Sequence, residues 1–338
     1  PPTPDELLTI LGRSSGGPLD ESDYTRLVNT LLEDPRHGER WARHWMDIWR
    51  YSDWFGLGDQ LRNSQLHIWH WRDWIVESLN DDLPYDEMVR LMLAGDELAP
   101  QDLQKLRATG YLARNFFLFN RHQWMDETVE HVSKSFLGLT MNCAKCHDHK
   151  YDPLPQDDYY RMRAFFEPYH VRLDMLPGET DLKRNAIPRA FDGPADVPTY
   201  LFVRGEETQP DKSRAILPGV PDVLQFKELE IHPIDLPAEA WQPERRQWVQ
   251  DAHLAASESA VEAANNGVAA AREALANSVK LHEELVAQAA QAQTDEAASS
   301  SAQPDSTRPD APATIVDDFT TLDPQRWELL DGDWEHQP

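Results

Sequence analysis

The sequence predicts a mainly α-helical chain, and three observations carry that reading. Apolar residues recur at helical spacing through roughly the first 180 positions, prolines and short β-prone runs replace them from about Asn185, and an Ala-, Glu- and Gln-rich stretch follows Pro243. The expected architecture is a helical domain over residues 1–184, an irregular Pro-rich segment with a few strands over 185–242, and a long Ala/Glu-rich helix or helical hairpin over 243–293. A disordered linker over 294–314 and the truncated start of a β-sandwich-like domain over 315–338 complete it.

Each element has a local reason. Asp5 to Leu11 and Glu21 to Glu33 are periodic, and Asp34-Pro35 stops the second. From about Gly38 to Trp54, the residues Trp41, His44, Trp45, Ile48 and Trp49 fall on one helical face, which is expected to be buried. Helices are also expected at His67 to Leu79, Tyr85 to Leu93, Met125 to Gly138 and Gln156 to Phe166, with a turn at Asp81-Asp82-Leu83-Pro84. Strands are expected at Thr199 to Val203 and Phe226 to His232. The stretch from Pro243 to Gln293 carries a thin apolar stripe of Val261, Val268, Leu275, Val279 and Leu285 on a strong helix-forming background. Residues 294–314 lack the large apolar groups that offset ordering entropy, and Ile315 to Phe319 and Trp327 to Leu330 are strand-like.

Composition narrows function. The chain carries 32 Lys and Arg against 59 Asp and Glu, a net charge of −27, which repels nucleic-acid phosphates and anionic membranes. A basic redox protein suits such a surface as partner. No run approaches the roughly 20 apolar residues of a membrane span. A first residue of Pro, without an initiator Met or a signal peptide, suggests a piece of a longer polypeptide. No acid–base carboxylate pair, nucleophile triad, glycine-rich phosphate loop or HExxH helix stands out, so enzymatic activity stays open.

Both cysteines of the chain lie in Cys143-Ala144-Lys145-Cys146-His147. Two thiols separated by two residues, with His directly after the second, meet the geometry of covalent c-type haem attachment. Cys143 and Cys146 would be the thioether anchors and His147 the proximal iron ligand. Three alternatives stand beside this: zinc at Cys143/Cys146 with His149, a redox dithiol, and two inert thiols. Met141 and His149 lie too close to the motif to wrap to the far side of a porphyrin. His131, on the preceding helix, and His44 are the candidates for the distal ligand. Asp148-His149-Lys150-Tyr151-Asp152-Pro153 is read as support that orients His147 in preference to a separate cation site.

These residues resemble those of the planctomycete-type cytochrome c domain family, large exported multidomain proteins of poorly defined function. The resemblance rests on Phe136 to Thr140 leading into Cys143 to Pro153, then Asp158-Tyr159-Tyr160; on Gly38 to Asp47; and on Tyr85-Asp86, Leu93 to Leu98 and Ala108 to Tyr111. It spans roughly Asp20 to Asp174, and Thr199 to Gly205 is similar to the segment that usually follows. It implies export to the periplasm, cell surface or medium, one covalent haem, and a glycan-binding β domain downstream. It also raises His44 as distal ligand and places Arg43 and Arg50 where they could pair with haem propionates. Three readings follow: electron transfer within a larger protein acting on extracellular polymers, a haem enzyme with an open iron, and a carbohydrate-binding surface protein in which the haem is structural.

Overall fold

In a computed structural model, residues 3–14, 18–53, 66–116, 120–194 and 197–299 are described. The chain forms two compact units, residues 1–262 and 263–338. It is mainly helical, with two small antiparallel sheets, as the sequence predicts.

α1 (Pro4–Ser14) opens with Pro in its first turn and a reciprocal cap, Glu6 N donating to Thr3 Oγ1 at 3.3 Å while Thr3 N donates to Glu6. α2 (Glu21–Leu32) is capped by the Asp20 carboxylate, which accepts from Asp23 N at 2.8 Å. α3 (Arg36–Ile48) packs on α4 (Trp69–Asn80). Asn80 at the end of α4 holds the start of α3, accepting from Gly38 N at 2.8 Å and donating to the Pro35 carbonyl at 3.1 Å. A Cβ on Gly38 would sit 2.6 Å from Asn80 Cγ and from the Val76 carbonyl, so glycine is what lets the helices approach.

That close approach sets the rotation of α3 and corrects the expected burial. The core-facing residues are Gly38, Ala42, Trp45, Met46 and Trp49, whereas Trp41 is 52% exposed, Ile48 49% exposed, and His44 exposed as well. Two small residues one turn apart allow backbone contact that a stripe of bulky ones would block, and the Trp41–His44–Ile48 edge turns to solvent.

α5 (Tyr85–Leu98) adds Met88, Leu91 and Met92 to the core; α6 (Leu103–Leu106), a short 3₁₀ turn and α7 (Gly110–Ala113) add Ala108, Tyr111 and Leu112. α8 (Arg121–Val132) contributes Trp124, Met125, Val129 and Val132, and α9 (Gln156–Phe166) contributes Tyr159, Tyr160, Met162 and Phe166.

β1 (Tyr169–Asp174) pairs antiparallel with β2 (Ile187–Asp192), and β3 (Thr199–Phe202) with β4 (Pro210–Ile216). Both hairpins share the helical core: Ala190 N donates to Thr109 Oγ1 at 3.1 Å, and Phe202 and Ile216 join the apolar cluster. The fully buried Asp174 is surrounded by Arg172 at 2.7 Å, Arg189 at 3.2 Å and Arg246 at 3.7 Å, which offsets the cost of burying its charge. The strand expected at Phe226 to His232 does not form; the run finds no partner edge and Phe226 is 91% exposed. α10 (Ala238–Trp241) precedes α11 (Gln247–Ser299), one continuous helix instead of a hairpin. α11 runs through the first residues of the expected linker, because nothing between Gly267 and Ser299 breaks a helix. The rest of that linker and the expected β domain lie outside the described residues. No helix among the described residues is long and apolar enough to cross a membrane.

Asp96, 7% exposed on α5, makes the fold pH-sensitive. Burial, with Asp192 nearby, pushes its carboxyl up to about 7, against the pull of Arg189. The protonated acid is the form the folded chain favours, so its stabilising effect is full below the ordinary carboxylate range and is lost as pH rises to about 7. Asp96→Asn is expected to flatten the fall in urea midpoint between pH 4 and 7; an unchanged pH slope in the variant would refute the assignment.

Candidate functional site

The site is built on the exit from α8. Asn120 caps the helix start by accepting from Gln123 N at 3.0 Å, and its C-terminus widens into a π turn, Ser133–Leu137, closed by Gly138 at φ 67°. Ser135 Oγ donates to the Ile48 carbonyl at 3.1 Å, joining this turn to the end of α3. The chain then enters a 3₁₀ turn, Asn142–Lys145.

A 3₁₀ turn repeats every three residues, so positions i and i+3 share a side. Met141 and Ala144 form one such pair and are fully buried, which directs the other pair, Cys143 and Cys146, outward. Both cysteines are free and exposed. Apolar burial of two neighbours thus presents two thiols together on one side.

Lys145, between the cysteines, clamps the turn. Its ammonium pairs with Asp126 on α8 and with Glu207 at 3.4 Å, and its carbonyl accepts from Gln156 Nε2 and Tyr160 OH on α9, each at 2.9 Å. Asp126 also accepts from Tyr159 OH and from Arg163 Nη1, the latter at 3.3 Å. The loop after β3 closes over Cys146: Arg204 and Gly205 take left-handed conformations at φ 56° and 75°, and a Cβ on Gly205 would collide with Cys146 Sγ. Asp126 and Gln156 were given no role by sequence reasoning, which reached Tyr160 and Gly205 only as members of family-like blocks. The left-handed glycine at the end of the Thr199 to Gly205 block was the available signal.

His147 is exposed, and its Nδ1 lies 2.7 Å from the Asp148 carbonyl. A carbonyl only accepts, so Nδ1 carries the proton and Nε2 keeps its lone pair. The support expected from the following carboxylates is therefore supplied by backbone. Asp148 Oδ1 instead accepts from Gln156 N at 2.8 Å, and His149 Nδ1 accepts from Asp152 N at 2.8 Å, so both side chains close the turn into α9. Among the described residues no group of three or more His, Cys, Asp or Glu could hold a metal ion, which leaves zinc at Cys143/Cys146 without its remaining ligands.

The other candidates occupy different settings. His44 lies on the exposed edge of α3, its ring 5.4 Å from that of Trp41. His131 on α8 is 8% exposed, with Nδ1 2.8 Å from Asn115 Nδ2; burial first, then Arg114 and Arg50, push its imidazole down to about 3, so the ring is neutral. Arg43 lines a 1010 Å³ cleft between α1, α2 and the start of α3, beside Arg36, Arg40 and Trp41. Arg50 follows α3 at φ 58°.

Gly205→Ala is expected to push the 203–205 loop away from Cys146 Sγ and change the rate of thiol labelling at Cys146 several-fold relative to Cys143; equal rates in variant and parent would remove the loop's role.

No curated protein and no solved structure matches the chain. Residues 1–171 of the 338 match the model of PSCyt2, a protein of unknown function (DUF1549), and the chain thereby belongs to that planctomycete-type domain family.

Proposed function

We propose that the chain is an exported c-type cytochrome domain, carrying one haem held by Cys143, Cys146 and His147 and serving electron transfer within a larger protein that acts on extracellular polymers. The observation that carries the reading is the pairing of two exposed, unpaired thiols on one side of a 3₁₀ turn with a His147 whose Nε2 is free. The residues fit the group. Each thiol would add its sulfur to one carbon of a porphyrin vinyl and its proton to the other, and the Asp148 carbonyl keeps the imidazole in the ligating tautomer.

Electron exchange is the chemistry that the haem supplies when bound. The protein's own share is to hold the turn rigid through Lys145 and to offer apolar cover. Trp41, Ile48 and Leu137 are large, exposed apolar side chains, and the Ser135–Ile48 bond joins the helix that bears the first two to the segment that bears the third. His44 shares the Trp41–Ile48 edge with no hydrogen bond among the described residues, and it is the distal ligand in this reading. His131 is occupied by Asn115 in the core and acts structurally. The charge of −27 favours a basic redox partner, with association slowed by salt.

Protein produced with haem-attachment machinery is expected to give the pyridine haemochrome of a thioether-linked haem and a low-spin spectrum insensitive to carbon monoxide. His44→Ala should turn it high-spin and CO-binding, whereas His131→Ala should leave it low-spin. No thioether-linked haem would overturn the reading, and a high-spin parent would transfer the proposal to open-iron oxidative chemistry.

A further inference from the structure

Along α11 a strict seven-residue spacing aligns Leu254, Val261, Val268 and Leu275, each more than half exposed. A straight helix drifts about 20° per seven residues from such a repeat, so the four keep to one line only where the helix supercoils around another. Three positions after each stands a small residue: Ser257, Ala264, Ala271 and Ser278. With the repeat lettered a to g from Leu254, no Asp, Glu, Lys or Arg occupies an a, d or g position between Leu254 and Ala292. Glu262, Glu273, Lys280, Glu283 and Glu284 take the outward b, c and f positions, and Glu258 and Arg272 the flanking e positions. Glycine is a poor helix former, yet Gly267 sits mid-helix at g, with nothing within 4 Å of where a Cβ would stand.

This face is complementary to itself when turned end for end. In an antiparallel pair the repeat runs in opposite senses, so each a residue of one helix meets a d residue of the other. With Leu254 opposite Ser278 of the other copy, the following layers are Ser257 with Leu275, Val261 with Ala271 and Ala264 with Val268, and the twofold axis repeats them. Every layer joins one large and one small side chain, so the filling is even along about 36 Å of helix. The same register sets Glu258 of each copy against Arg272 of the other and crosses Gly267 on Gly267, where two bare backbones can approach closely. A parallel pair would instead stack large on large and small on small, with Glu258 and Arg272 two heptads apart.

We propose that Leu254 to Ser278 of α11 is a self-association surface, through which two copies of the chain form an antiparallel two-helix coiled coil. It uses no residue of the cysteine motif and stands independently of the haem reading.

Sedimentation equilibrium of the full chain, with its thiols kept reduced, is expected to show a reversible dimer. Val261→Asp combined with Val268→Asp, both at exposed positions, should give a monomer whose near-ultraviolet circular dichroism matches the parent's. Glu258→Arg and Arg272→Glu each set two like-charge pairs across the interface and should each weaken the dimer by about tenfold, whereas the two exchanges together should restore the parent's affinity. That rescue is the mark of the antiparallel register, since the two side chains meet in no parallel pair. A parent that stays monomeric up to millimolar concentration overturns the proposal, whatever other occupant the face then takes. So does a dimer that persists in the doubly substituted Asp variant, or a double charge exchange that brings no rescue.

Discussion

One carboxylate holds the candidate site together. Asp126 projects from α8 and accepts from Lys145 in the motif, Tyr159 on α9 and Arg163 on α9. Three donors, two of them charged, justify a half-buried carboxylate, and their convergence fixes the 3₁₀ turn against two helices at once. The orientation of Cys143, Cys146 and His147 depends on that turn. Without it, Met141 and Ala144 could leave the core, and the two thiols would lose their common side.

The same logic of small residues and close approach recurs at a distance. Gly38 and Ala42 bring α3 onto α4, and in doing so rotate Trp41, His44 and Ile48 to the surface. A helix of a globular protein that exposes Trp and Ile beside a His with no hydrogen bond among the described residues presents surface suited to a further group, and the Ser135–Ile48 bond joins that helix to the segment leading into the motif. Arg114 poses the complementary problem inside the core, where a charge with no carboxylate partner among the described residues takes the place of apolar surface without cover.

The hairpins belong to the same structural economy. β1 and β2 bring Asp174 and Arg189 into a buried charge cluster, and the β3–β4 connection carries Gly205 over Cys146. The proline-rich segment therefore completes the core of the helical region and touches one of its thiols. Its strands were legible at Thr199 to Val203, where the β-prone run finds a partner, and misleading at Phe226 to His232, where none is available.

By itself the sequence determined the helical class, the approximate helices, the long Ala/Glu-rich helix and the chemical identity of the motif, because spacing, propensity and residue type are local properties. The order of Cys143, Cys146 and His147 raised the haem reading beside those of zinc, a redox dithiol and inert thiols. Tertiary structure alone decided which face of α3 is buried, since that depends on what Gly38 and Ala42 meet, and which atoms hold the motif, since Asp126, the pair Gln156 and Tyr160, and Gly205 come from three separate stretches of chain. It alone left Arg114 without a carboxylate partner among the described residues, because a missing partner is a property of the whole surrounding shell and no single segment encodes it.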